Sequence, residues 1–182
     1  MGEKRMKKFL LSLSALTMAI GLAACSANDE SKTDKKEKTK ETAASKVDVK
    51  KELVKFYMEI GNKVNAKDTD LNSYMAKATK EDATPEELPT ADEKTKASAS
   101  AAAVAEELTN IQVPAGLKDQ KTDLEAALKD YSASYQAKAD DLKKDTPSLT
   151  AGDDLFAQGE EKLGKVFESA KLFAPTLGKQ VN

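Results

Sequence analysis

An all-α fold, an antiparallel up-down four-helix bundle behind a disordered polar tether, is predicted for this 182-residue chain by three observations. After residue 46, apolar residues recur at steps of three and four in four segments, the spacing of one helix face. Short turns marked by Pro85 and Pro89, by Pro114 and by Pro147 separate those segments. No stretch between them alternates apolar and polar residues as a half-buried strand would, and short connections favour antiparallel neighbours.

The chain opens with Lys4, Arg5, Lys7 and Lys8 against a single Glu3, followed by an apolar run from Phe9 to Gly21 broken only by Ser12, Ser14 and Thr17. A basic start, a short apolar stretch and small residues after it form a secretory signal. The stretch falls short of the roughly 20 residues that span hydrocarbon, so cleavage is expected. Leu22-Ala23-Ala24-Cys25 then resembles the lipobox of exported bacterial lipoproteins: Leu, two small residues and Cys. The resemblance covers residues 1–25. It implies that the Cys25 thiol receives a diacylglycerol, that the chain is cut between Ala24 and Cys25, and that the mature protein sits lipid-anchored on the extracytoplasmic face of the cell membrane.

Residues 26–46 hold only polar, charged and small side chains, six Lys interleaved with five acidic residues. Nothing there is large and apolar enough to offset the entropy of ordering, so a disordered tether is expected, with an end-to-end distance of about 25 Å. The organisation is therefore a cleaved signal at 1–24, a lipidated Cys and linker at 25–46, and a helical domain at 47–182.

In the first helix Val49, Leu53, Phe56, Tyr57, Ile60 and Val64 share a face. Asp68-Thr69-Asp70 interrupts it, and Leu71, Tyr74, Met75 and Ala78 resume the register, so the helix is kinked or split near 68 and ended by Pro85 and Pro89. Thr90 with Glu93 has capping-box spacing and opens a second helix, whose stripe of Ala97, Ala101, Val104, Ala105, Leu108 and Ile111 is small enough for close helix packing. Pro114 suits the first position of a third helix, which Leu117, Leu124, Leu128, Tyr131, Tyr135, Ala139 and Leu142 carry to about Lys144, roughly 45 Å. Thr150 and Asp153 suggest a cap for the fourth. Its stripe is Leu155, Phe156, Gly159, Leu163, Val166, Phe167, Ala170 and Phe173, with Pro175 and Gly178 ending it before a short tail. Gly159 on the apolar face implies close approach of a partner helix. Ile111 to Leu117, reading I-x-V-P-x-x-L, looks like a turn of uncharacterised helical domains in exported bacterial lipoproteins.

Composition excludes more chemistry than it suggests. The chain has no His and a single Cys, which lipidation would consume. Thiol nucleophiles, disulfides, Cys or His metal sites and Ser-His-Asp hydrolysis all need residues it lacks, so no enzyme activity, cofactor or metal is expected. Beyond residue 24 the chain carries 25 basic and 30 acidic residues, a formal charge of −5, which disfavours nucleic acid as a partner. Asp68, Asp70 and Asn72 match the first alternate positions of a calcium loop, but Ser73 and Thr79 stand where Gly and a bidentate Glu are needed, which leaves a helix break or cap. The adjacent acids Glu106-Glu107, Asp140-Asp141, Asp153-Asp154 and Glu160-Glu161 diverge around a helix and read as solvated faces.

The expected role is a non-enzymatic binding or adaptor lipoprotein, with the membrane as one partner through Cys25 and an envelope protein or wall component as the other. The alternative is a small-molecule or cation site in the bundle core near Tyr57, Tyr131 and Tyr135.

Overall fold

A computed structural model describes residues 48–181. Residues 1–47, on which the expected signal, the expected lipidation at Cys25 and the expected linker fall, lie outside the described residues. Within them the chain is all-helical: α1 Val49–Asn65, α2 Thr69–Ala78, α3 Ala91–Asn110, α4 Lys121–Asp141 and α5 Asp153–Ser169, with 3-10 turns at Ala115–Leu117 and Leu177–Lys179. None of these helices is long and apolar enough to cross a membrane. α3 packs on α4, α4 on α5, α2 on α3 and α1 on α3.

The interruption at Asp68 is a split. Asp68 occupies the N-cap position of α2, and Lys67 and Asp68 donate their N–H groups to the carbonyl of Val64, which closes α1. α2 stops at Ala78, seven residues before Pro85, so that proline lies in the connection and does not terminate the helix. The capping box at Thr90 forms as expected: Glu93 N–H donates to Thr90 Oγ1 at 3.2 Å, and Thr90 N–H donates to Glu93 Oε2 at 2.8 Å. The small stripe of α3 is buried, and two serines beside it are buried too. Ser98 Oγ donates to the carbonyl of Ala139 at 2.7 Å, while Ser100 Oγ donates to that of Lys67 at 2.5 Å. Small side chains let backbone come within hydroxyl reach, and the hydroxyls satisfy carbonyls at the α1–α2 break and inside α4.

Three boundaries depart from the sequence pattern. Pro114 is extended, ψ 145°, and precedes only a 3-10 turn; α4 starts at Lys121 and its 21 residues span about 32 Å, not 45. Thr150 does not cap α5. Gly152 does, at φ +82°, a conformation open to Gly, and a Cβ there would lie 2.4 Å from the Ser134 carbonyl of α4. The preceding turn holds Leu149 at φ +64°, and Asp141 stabilises it by accepting the N–H groups of Ser148 and Leu149 at 2.7 and 3.3 Å. α5 ends at Ser169 because Lys171 turns into the left-handed region at φ +58°. Phe173, assigned to the apolar stripe, is consequently off the helix register and 98% exposed.

The tail that follows is part of the core. Leu177 and Val181 are buried, and the segment runs beside α1 toward α2: Tyr57 Oη donates to the Thr176 carbonyl at 3.1 Å, Asn65 Nδ2 to that of Gln180 at 3.1 Å, and Asn72 Nδ2 to that of Val181 at 3.3 Å. Between α4 and α5, Gly159 meets the fully buried Tyr131 ring, two of whose carbons would lie 2.8 Å from an added Cβ. The close approach implied by that glycine is present.

Two substitutions test this packing in chemical unfolding. Gly159→Ala is expected to destabilise by about 1–3 kcal/mol although Ala is the better helix former, because the ring beneath it has nowhere to go. Leu177→Ala, remote from every helix by sequence pattern, should cost about 2–5 kcal/mol, the range of a core leucine.

Candidate functional site

Two depressions stand out on the surface of the described residues. The larger, about 900 Å³, is an open groove between α3 and α4 with Ala102, Ala105 and Ala133 in its lining. Its hydroxyls are already engaged: Thr109 and Ser132 lie 2.9 Å from each other and each 2.9 Å from the Ala105 carbonyl, so their two protons are shared between that carbonyl and the contact between them. The smaller cavity, about 570 Å³, is walled by aromatic rings and charged groups, the composition of a ligand site.

Four elements build that smaller cavity. Asp153, Phe156, Ala157 and Glu160 follow the 0, 3, 4, 7 spacing of one face of α5. Tyr135 and Lys138 come from α4, one turn apart, and Leu71, Asn72 and Met75 from α2. The C-terminal segment closes it with Thr176, Gly178 and Val181. Phe156 is held in place by edge contacts to Tyr131, ring centres 5.0 Å apart, and to Tyr135 at 6.3 Å.

The three tyrosines singled out by spacing have different places. Tyr135 lines the cavity and is 5% exposed; burial pushes its hydroxyl pKa up, and the nearby Asp68 charge adds to the shift. Tyr131 lies behind Phe156 rather than in the lining, fully buried, its hydroxyl without a hydrogen-bond partner and its pKa raised, chiefly by burial. Tyr57 is half-buried on α1, edge-on to Phe167 at 6.0 Å, and supports the cavity from outside through its bond to Thr176. The structure thus joins Tyr131 and Tyr135 through one phenylalanine and links Tyr57 to them by the tail.

Charge in the cavity is uneven. Lys138 Nζ and Asp153 Oδ1 pair at 2.5 Å and neutralise each other. Glu160 has no basic partner among the ion pairs of the described residues; its Oε1 accepts the Gly178 N–H at 2.9 Å, and burial pushes its carboxyl above 4.5 against that bond. Its sequence neighbour Glu161 is exposed and paired with Lys165 at 2.5 Å, so the Glu160-Glu161 pair is only half solvated. Asp141 departs likewise from the solvated reading: it is 3% exposed and binds the Ser148–Leu149 turn, with Lys144 foremost in holding its carboxyl below the usual range. No group of three or more acidic, His or Cys side chains able to hold a metal ion occurs among the described residues. Asp70 and Asn72 sit in the first turn of α2, on helical backbone.

Glu160 and the tail were missed by the spacing argument. One signal was present: Glu160 lies four residues after Phe156, on the edge of the apolar stripe, and Leu177 and Val181 repeat at four. No protein-family model matches the chain, and no curated protein or solved structure matches it either.

Asp68 offers a stability test next to the cavity. It is 3% exposed, one carboxylate oxygen has no partner, and burial raises its pKa from 3.8, opposed by a bond from Asn72. A buried acid with a raised pKa binds its proton more tightly when folded, so its contribution falls as pH rises past the unfolded value. Asp68→Asn should therefore melt higher than wild type at pH 7, and the gap should close in melts taken at about pH 3, where both side chains are neutral.

Proposed function

We propose that the chain is a non-enzymatic extracytoplasmic lipoprotein, held to the cell membrane by lipid on Cys25 and released from its signal between Ala24 and Cys25, whose helical domain serves binding. The observation that carries this reading is the run Leu22-Ala23-Ala24-Cys25 directly behind a basic and then apolar start. Buried acyl chain contributes about 0.8 kcal/mol per CH₂, so the two chains of a diacylglycerol hold the protein firmly, and the tether sets the reach of the domain. In this reading the helices form an antiparallel up-down four-helix bundle, with α1 and α2 as the two halves of one interrupted arm.

For the binding role itself, the cavity beside Tyr135 favours a small molecule over a purely adaptor function toward an envelope protein or wall component. Its rings, its carboxylate without an ion-pair partner and its wall of C-terminal backbone converge on one half-open cavity. The absence of His and of a second Cys from the sequence supports binding without turnover.

Fractionation of the host cells tests the anchor. Wild type is expected in the membrane pellet, with a diacylglyceryl thioether found on Cys25 by mass spectrometry, whereas Cys25→Ala should leave the lipid-modified fraction and remain uncut at Ala24. Wild type carrying an unmodified sulfur would overturn the proposal.

A further inference from the structure

We infer that the cavity between α2, α4, α5 and the C-terminal segment selects a compact organic ammonium ion with an apolar body, its charge set against Glu160 and its body against Phe156 and Tyr135. The inference rests on the small-molecule reading above and narrows it to one charge class. Every other charged group lining the cavity is cancelled locally, Lys138 by Asp153 at 2.5 Å. Among the described residues that line the cavity, that leaves Glu160 as the one charge without an ion-pair partner, and it is negative. Its Oε1 accepts the Gly178 N–H at 2.9 Å, and a carboxylate has about four acceptor sites, more than its backbone bonds use. Burial holds this carboxyl above its ordinary range despite the backbone bonds it receives, so a cation placed against it would favour its charged form.

The apolar part of the ligand follows from the same wall. Phe156 lies one helical turn before Glu160 on α5, and both Tyr131 and Tyr135 fix its ring by edge contacts, which keeps its position while a guest packs on it. Rings next to a carboxylate attract a cation by the ring quadrupole as well as by charge. An anion would face Glu160 with no free base to receive it. A metal ion would find a single unpaired carboxylate, too few ligands. At about 570 Å³ the space suits a molecule of one ring or a short branched chain and an amine.

The test uses the full chain in lipid nanodiscs and three probes that share one body: phenethylamine, phenethyl alcohol and phenylacetate. Ring resonances of Tyr135 and Phe156 are followed by NMR at pH 7.5. Saturable shifts with phenethylamine, and binding of the other two weaker by about tenfold or more, are expected. Glu160→Gln keeps the acceptor for Gly178 and removes the charge, so it should reduce phenethylamine to the level of the alcohol. Where that variant melts too low for titration, the three-probe series on wild type decides alone. Phenethylamine binding no tighter than the alcohol, or a preference that survives Glu160→Gln, would overturn the ammonium assignment. In that case saturable shifts from the alcohol or the acid would leave the small-molecule reading standing. Silence of both rings to all three probes would remove both.

Discussion

The seating of the Tyr131 ring over Gly159 is the contact on which the rest of the domain depends. Any side chain at 159 would lie 2.8 Å from the ring, so α5 reaches this distance from α4 only with glycine there. Burying an aromatic side chain is worth about 1.5–3 kcal/mol, and the edge contact to Phe156 adds about 0.5–1.5 kcal/mol. Against these stand the cost of a glycine in a helix, about 1 kcal/mol, and of a hydroxyl buried without a partner, about 1–3 kcal/mol. Gain and cost are close. The same contact fixes Phe156, because the two rings meet edge-on at 5.0 Å, and Phe156 in turn forms one wall of the cavity.

Most of the helical face pattern was legible in the sequence, since burial of Leu53, Phe56, Ile60 and Val64, or of Leu124, Leu128, Tyr131 and Tyr135, follows directly from spacings of three and four. The box at Thr90 and Glu93 was legible for the same local reason: its bonds are made within four residues. Helix ends set by tertiary contact were hidden. Gly152 caps α5 because the backbone of Ser134 lies against it, and no local signal names Ser134 as its neighbour. Phe173 continued the stripe in sequence, but the chain had already left the helix at Lys171.

The site was less legible than the fold. Tyr135 emerged from its helical spacing, whereas Glu160 looked like half of a solvated acidic pair until the tail was seen to pack beside it. That segment reads in sequence only as a short tail after Pro175 and Gly178. Its role comes from long-range hydrogen bonds, Tyr57 to Thr176, Asn65 to Gln180 and Asn72 to Val181, each spanning more than 100 residues. Such bonds fasten the last residues of the chain along its first helices, so the cavity has walls from both ends of the domain. The C-terminal segment thereby forms the fourth side of the cavity.

α4 and α5 meet at the tyrosine and the glycine, and the cavity wall is built outward from there. Nuclear Overhauser spectroscopy of the full chain reads that contact directly. Cross-peaks from the Tyr131 ring to the Gly159 α-protons and to the Phe156 ring, with the glycine protons displaced by the ring current, are the expected result. A Tyr131 ring showing cross-peaks to neither residue, while its own helix remains intact, would contradict the account.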